Sequence, residues 1–222
     1  DLHLSLRRQR QMCIRDRYYD LNMALLIKKF GGTSVGDIKK IKAIAQSIGH
    51  SKESGNEIVV VVSAMGNSTD HLNQLAESIS KNPNSRELDM LLSTGEQVTM
   101  ALLSMSLNEY GIPAISLTGS QVGIVTESIH GKARILDIKT ERIQNYLDQG
   151  YVVVVAGFQG STLSHTGSME ITTLGRGGSD TSAVALSTAL GAETCEIYTD
   201  VPGVLTTDPR IVPNAKLLDI IS

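Results

Sequence analysis

Several things the chain has little of narrow what it can be. Two cysteines, Cys13 and Cys195, are too few for a disulfide framework and lack metal-ligand spacing. That usage fits a reducing compartment, so a cytoplasmic location is the expectation. Charge of either sign is not in large excess: the formal net charge is -3 and the pI is near 6.0. Without a global basic field, nucleic acid is not the expected partner. Long apolar runs are missing too. The longest, VVVVA at 152–156, falls far short of the roughly 18 residues of a membrane helix and reads as a buried strand, so no membrane association is expected.

What is present is a chain of 222 residues with 41% hydrophobic and 19% charged content, enough for one large core. The first 22 residues stand apart. They carry five arginines, Arg7, Arg8, Arg10, Arg15 and Arg17, with no apolar segment of the kind a secretory signal needs. SLRRQRQMCIRDR resembles translated sequencing-adapter read-through, so 1–22 is expected to be a non-native or disordered extension, with the native start at Met23 and the domain proper over 23–222.

From Met23 onward, apolar runs alternate with helix-period segments. ALLIKKF (24–30), EIVVVVSAM (57–65), IPAISLTG (112–119), YVVVVAGF (151–158) and TCEIYTD (194–200) read as strands, several apolar on both faces. Between them Ile38, Ile41, Ala45 and Ile48 share a helical face with Gly49 as a stop signal. Leu72, Leu75, Ala76 and Ile79 share another, and TERIQNYLDQG ends on Gly150. The fold class is therefore α/β, a three-layer α/β/α sandwich with a mainly parallel central sheet. The polar segment 161–171 reads as an exposed excursion.

In open parallel sheets ligands bind beyond the carboxyl ends of the strands. There the sequence reads FGGTS, SAMGNSTD, TGSQVG, GFQGS and TDVPG, all rich in glycine and hydroxyls. Glycine lets backbone N–H groups face an anion, and a following helix N-terminus adds roughly half a positive charge. TLGRGGSDTSAVALSTALG repeats the pattern, with Ser179 and Asp180 as N-cap candidates and Gly191 as the stop. Neither loop is a GxxxxGK[ST] or GxGxxG sequence, so a known nucleotide motif is missing while an anion site is not. Taken singly, each feature has a plain reading: FGGTS as a tight turn, Lys28 and Lys29 as solvated strand ends, Arg176 as a surface side chain. Two glycine loops, each with a cation and each opening a helix, shift the balance toward an anion site.

KKFGGTSVGD, VVSAMGNSTD, LLSTGEQVTMALLS, TGSQVGIVT, VVVAGFQG, TTLGRGGSDTSAVALS and CEIYTDVPGVLTTDPRIVPNAK, in this order, resemble the catalytic domain of the aspartokinase family, within the amino acid kinase superfamily. The resemblance runs from Met23 to the C-terminus. It implies the amino acid kinase fold and transfer of the ATP γ-phosphoryl group to the side-chain carboxylate of L-aspartate. The product would be 4-phospho-L-aspartate, in the first step toward lysine, threonine and methionine. A carboxylate nucleophile with an ordinary pKa near 3.9 is already ionised and needs no general base. Accordingly, no histidine stands in the glycine loops.

Carried over residue by residue, the resemblance makes Lys29 the catalytic cation and Asp180 the group that organises it together with magnesium-bound phosphates. Lys29, Phe30, Gly31, Gly32, Thr199, Asp200, Leu205 and Arg210 would bind Mg-ATP, Leu205 standing where an aromatic is often found. Ser63, Thr69, Glu96, Arg176, Gly177, Gly178 and Ser179 would bind aspartate, Arg176 clamping the α-carboxylate and Glu96 accepting the α-ammonium. Plainer alternatives stay open: Glu96 as a first-turn helix glutamate, Thr69 as a cap, Phe158 as core or pocket wall. Lys28, by strand alternation, points to the opposite face from Lys29. ATP and Mg2+ are the implied cofactors, and no protein-held metal is expected. The family continues past LLDIIS with a further phosphate-facing lysine and regulatory ACT domains, so the domain reads as incomplete, with a homo-oligomer expected of the full-length enzyme. Acetylglutamate kinase, glutamate 5-kinase and uridylate kinase, or a noncatalytic nucleotide-binding module, are the alternatives.

Overall fold

The structure is a computed structural model that describes residues 24–163, 167–200, 203, 205–207 and 211–218. Five parallel strands form the central sheet in the order β3-β6-β2-β1-β9: β1 (Leu25–Phe30), β2 (Glu57–Val62), β3 (Ala114–Leu117), β6 (Val152–Ala156) and β9 (Thr194–Tyr198). Each lies within a stretch the apolar runs mark as a strand. The runs overshoot because the residues after each strand turn into the glycine loops.

β2 and β6 lie at the centre of this sheet, and their valines are buried on both faces. Val60, Val62, Val154 and Ala156 pack with helices α1 (Ile38–Glu53) and α3 (Ser85–Glu109). Val59, Val61, Val153 and Val155 pack with α4 (Glu141–Asp148) and α5 (Gly178–Leu190). Burial of each such side chain is worth about 1.5–3 kcal/mol, and β-branched residues fit the pleated sheet. This is the expected three-layer arrangement. Among the described residues no helix is long and apolar enough to cross a membrane.

Some local expectations fail, each for a physical reason. Gly49 does not stop α1; it is buried mid-helix, where a Cβ would lie 2.8 Å from Cδ1 of Ile112, so it is a packing glycine. Ile38 sits half-exposed in the first turn, while the buried face runs through Ile41, Ile44, Ala45 and Ile48. In α2 (Ser68–Ile79) only Ala76 is buried, and Leu75 and Ile79 face outward.

The larger surprise is a second sheet. The segment expected to be an exposed excursion contributes β7 (Gln159–Leu163) and β8 (Met169–Thr173), which pair with each other antiparallel. With β4 (Ile124–Thr126) and β5 (Ile135–Ile138) they form a four-stranded sheet in the order β5-β4-β7-β8. Its polar residues are buried but satisfied: the hydroxyls of Thr126 and Thr172 meet at 2.5 Å. This sheet supplies one wall of the pocket described next.

Candidate active site

Beyond the carboxyl ends of β1, β2 and β6 lies a cavity of about 610 Å³. It collects most of the residues that the sequence points to: Lys29, Gly32, Ser63, Thr69, Glu96, Phe158, Arg176, Gly177, Gly178, Ser179 and Asp180. They come from elements distant in sequence and meet because parallel strands place all their C-terminal loops at one end of the sheet.

β1 separates its two lysines by strand alternation. Lys28 faces α1, where it donates to Ser51 Oγ at 3.1 Å and pairs with Glu196 Oε2 at 3.0 Å. Although burial pulls the Glu196 carboxyl upward, hydrogen bonds from Tyr198 and Lys28 hold it below its ordinary value. Lys28 is thus a buried structural cation and not a solvated strand end. Lys29 faces the other way and lies 2.6 Å from Asp180 Oδ1, with its side chain only 9% exposed.

Asp180 stands in the first turn of α5. The N-cap of this helix is Gly177, in the left-handed region at φ 74°, so Ser179 and Asp180 are not caps as expected but first-turn residues. Thr181 is the residue whose N–H bonds back to the Gly177 carbonyl, and the turn before it opens toward the pocket. Gly178 must lack a side chain, since a Cβ would come within 2.9 Å of Phe158 Cδ2. Phe158 itself has φ 66°, the only non-glycine residue with positive φ among those described. Its amide donates to Ser182 Oγ at 3.2 Å, and its carbonyl accepts from Leu174, so its strained backbone is held from both sides.

On the opposite wall, Glu96 lies in the middle of α3 rather than at a helix start, and it is 3% exposed. Its Oε1 accepts from the Ala64 amide at 3.2 Å, whereas Oε2 has no partner. Burial pushes its carboxyl up to about 7, even though the hydrogen bonds pull the other way. A half-satisfied buried carboxylate at a pocket wall is suited to a cationic guest. Arg176, exposed in the loop between β8 and α5, makes no ion pair or side-chain hydrogen bond with a described residue, leaving its guanidinium fork free for an anion.

The first glycine loop is built tightly. A Cβ on Gly32 would lie 2.8 Å from the Ala64 carbonyl oxygen, so only glycine allows the loops after β1 and β2 to touch. Phe30 and Gly31 do not line the cavity. The Phe30 ring is buried and stacks on Tyr198 with centroids 4.6 Å apart, and the Gly31 amide donates to the Tyr198 carbonyl. Thr199 and Asp200 follow β9, are exposed, and also stand outside the cavity. Leu205 pairs with Leu217, and Arg210 lies outside the described residues, as does the stretch 1–22 with Cys13. The residues expected for the acceptor therefore all line the cavity, whereas of those expected for the nucleotide Lys29 and Gly32 do so among the described residues. Among the described residues no cluster of His, Cys, Asp and Glu could hold a metal by itself.

The sequence reading missed several groups on the cavity wall, chief among them Asp89, with Asp70, Asn73, Gly131 and Thr173. Asp89 is 1% exposed and lies two turns before Glu96 on the same face of α3. The signal available was a charged residue at an apolar-flanked helical position, LDML, seven residues before Glu96.

The amino acid kinase family model matches residues 24–222. An aspartokinase of Geobacillus stearothermophilus is 60% identical over 200 residues, covering 90% of this chain and 48% of that protein. A solved aspartate kinase from Synechocystis has 62% identity and a TM-score of 0.73, covering 88% of this chain and 32% of that one. The E. coli aspartokinase III structure in complex with aspartate and ADP has 27% identity and a TM-score of 0.73, covering 88% and 53%. The chain spans about half the length of the curated relatives it matches.

Proposed function

Because the chain belongs to the amino acid kinase family, we propose that its cavity takes L-aspartate as phosphoryl acceptor opposite Mg-ATP and that the protein is an aspartate kinase. The side-chain carboxylate attacks the γ-phosphorus, a new P–O bond forms, the bond to the β-phosphate oxygen breaks, and ADP leaves with that electron pair. The product is 4-phospho-L-aspartate, the first step toward lysine, threonine and methionine.

The observation that carries this reading is the buried Glu96 with its unpaired Oε2, facing a cavity that also holds the uncommitted Arg176. A free α-amino acid supplies both missing partners: an ammonium for Glu96 and an α-carboxylate for Arg176. An N-acylated acceptor would bring no ammonium, and a nucleotide acceptor would bring further negative charge toward Glu96. The hydroxyls of Ser63, Thr69 and Ser179 border the same space and can orient the acceptor.

Lys29 has the position and burial to neutralise the transferring phosphoryl group as its charge spreads. Asp180 holds that ammonium in place and is the carboxylate beside it, suited to organising magnesium-bound phosphates without binding the metal alone. Magnesium, carried by the nucleotide, supplies further charge neutralisation. Phe30, Gly31 and Gly32 contribute loop backbone, while Thr199, Asp200, Leu205 and Arg210 are assigned to the nucleotide side. Residues 23–222 are read as belonging to an amino acid kinase catalytic domain, from a cytoplasmic enzyme that is a homo-oligomer at full length.

The test is an ATP-dependent hydroxylamine trap, in which an acyl phosphate becomes a hydroxamate. It is run on this chain and on a version extended to the length of its relatives, with aspartate, glutamate and N-acetylglutamate as acceptors, and ADP release is measured for uridine monophosphate, whose phosphoanhydride product gives no hydroxamate. The expected result is hydroxamate from aspartate alone, near background in this chain and strong in the extended one. Product from another acceptor, or none on extension, would overturn the reading.

A further inference from the structure

We propose that Asp89 and His130 are positioning residues that hold the Arg176 loop at the acceptor end of the cavity. Asp89 borders the cavity, yet both of its oxygens are already taken. Oδ1 accepts from Thr173 Oγ1 at 2.6 Å, Oδ2 lies 2.7 Å from His130 Nδ1, and the Gly131 amide donates to both at 3.1 Å. A carboxylate so saturated offers nothing to a guest, in contrast to Glu96 with its free oxygen. Its role must therefore run through the groups it holds.

Those groups belong to three segments. Asp89 is on α3, Thr173 ends β8, and His130 and Gly131 belong to the turn between β4 and β5. Thr173 is three residues before Arg176. The turn is tied to β8 a second time, since the Ala133 amide donates to the Thr173 carbonyl at 2.9 Å. It also presses on the loop directly: a Cβ on Gly175 would come 3.3 Å from the Gly131 carbonyl oxygen, and that glycine takes φ 78° just before Arg176. One buried carboxylate thus braces the loop from its β8 side and from beneath.

Because Asp89 is acceptor-only when ionised, the His130 proton it receives sits on Nδ1. The other ring nitrogen is 3.6 Å from Glu170 Oε2 on β8, and Glu170 in turn lies 3.8 Å from Arg86 on α3. The ring is 16% exposed, so this brace is largely shielded from solvent competition.

The structural consequence stands apart from any substrate, whereas the kinetic one rests on the acceptor reading above. The experiment therefore reads both on the 222-residue chain: amide hydrogen exchange over residues 174–179, and binding of L-aspartate by calorimetry. His130→Asn places an amide nitrogen where Nδ1 was, while His130→Gln places it where Nε2 was. The polarity is similar, so the pair is informative even if His130→Ala fails to fold. We expect His130→Gln to speed exchange in the loop and to weaken aspartate binding, each by about tenfold, with His130→Asn close to the parent in both. Asp89→Asn should follow His130→Gln. Unchanged loop exchange in His130→Gln, or equal effects of Asn and Gln, overturns the positioning role. Faster exchange with no aspartate binding in the parent chain upholds the brace and sinks the acceptor reading instead.

Discussion

The ammonium of Lys29 lies 2.6 Å from Oδ1 of Asp180, which ties the C-terminal end of strand β1 to the first turn of helix α5. Its neighbour Lys28 is equally buried but belongs to the opposite face of the sheet, paired with Glu196. Two adjacent lysines therefore serve two different ends, one open to the cavity and one closed within the fold.

The contrast can be measured. In a version extended to the length of its relatives, Lys29→Ala should lower kcat by at least a hundredfold, about 3 kcal/mol, with a much smaller change in the Michaelis constant for aspartate. Lys28→Ala should instead leave turnover near normal and destabilise the fold by about 1–3 kcal/mol, because Glu196 loses its cation. Steady-state kinetics and denaturant melts separate the two. Equal kinetic losses would contradict the assignment of roles.

Glu96 should make the ligand-free protein less stable as the solution is made more alkaline. Its folded value of about 7 exceeds the ordinary glutamate value of 4.5, so between these the folded state keeps a proton that the unfolded chain has lost. Stability contributed by that proton is complete below about 4.5, declines through the window and is gone above about 7. The full difference is about 3 kcal/mol. Melting temperature followed from pH 5 to 8 should fall in the parent and much less in Glu96→Gln.

The same carboxyl predicts linkage between protons and the acceptor. An α-ammonium requires Glu96 ionised, so aspartate affinity should fall as pH drops below about 7, approaching tenfold per pH unit. Near pH 7 binding should release part of a proton, visible as a dependence of calorimetric heat on the ionisation enthalpy of the buffer. Glu96→Gln should bind more weakly and without that release.

Arg176→Lys should weaken aspartate binding by about tenfold while leaving the nucleotide constant nearly unchanged, since an ammonium keeps the charge but loses the two-pronged fork. Separate titrations with aspartate and with Mg-ATP check this. An effect confined to the nucleotide would mean that the acceptor and nucleotide assignments are exchanged.

Strand alternation and glycine placement make much of this molecule legible in its sequence. The valine runs specified a buried parallel sheet because residues apolar on both faces have nowhere else to go. Period-two alternation separated Lys28 from Lys29, and the GRGGSD loop announced a helix N-terminus. These are local properties, in which backbone geometry and side-chain type act over a few residues.

What only the tertiary structure decided lies in contacts between distant segments. Glu96 reads as a first-turn glutamate, but α3 begins after the Asn84 cap and runs straight through. Gly95 is there because a Cβ would come within 2.9 Å of the Ala64 side chain. The segment 161–171, which contributes to β7 and β8, reads as a surface loop, since a polar strand becomes buriable only when its hydroxyls find partners such as Thr126 with Thr172. Asp89, His130 and Thr173 carry no shared motif, and folding is what brings them into one hydrogen-bonded cluster. Local pattern reports where a chain will be buried or turn; the pairing of buried polar groups depends on which segments fold together, and that is a property of the whole molecule.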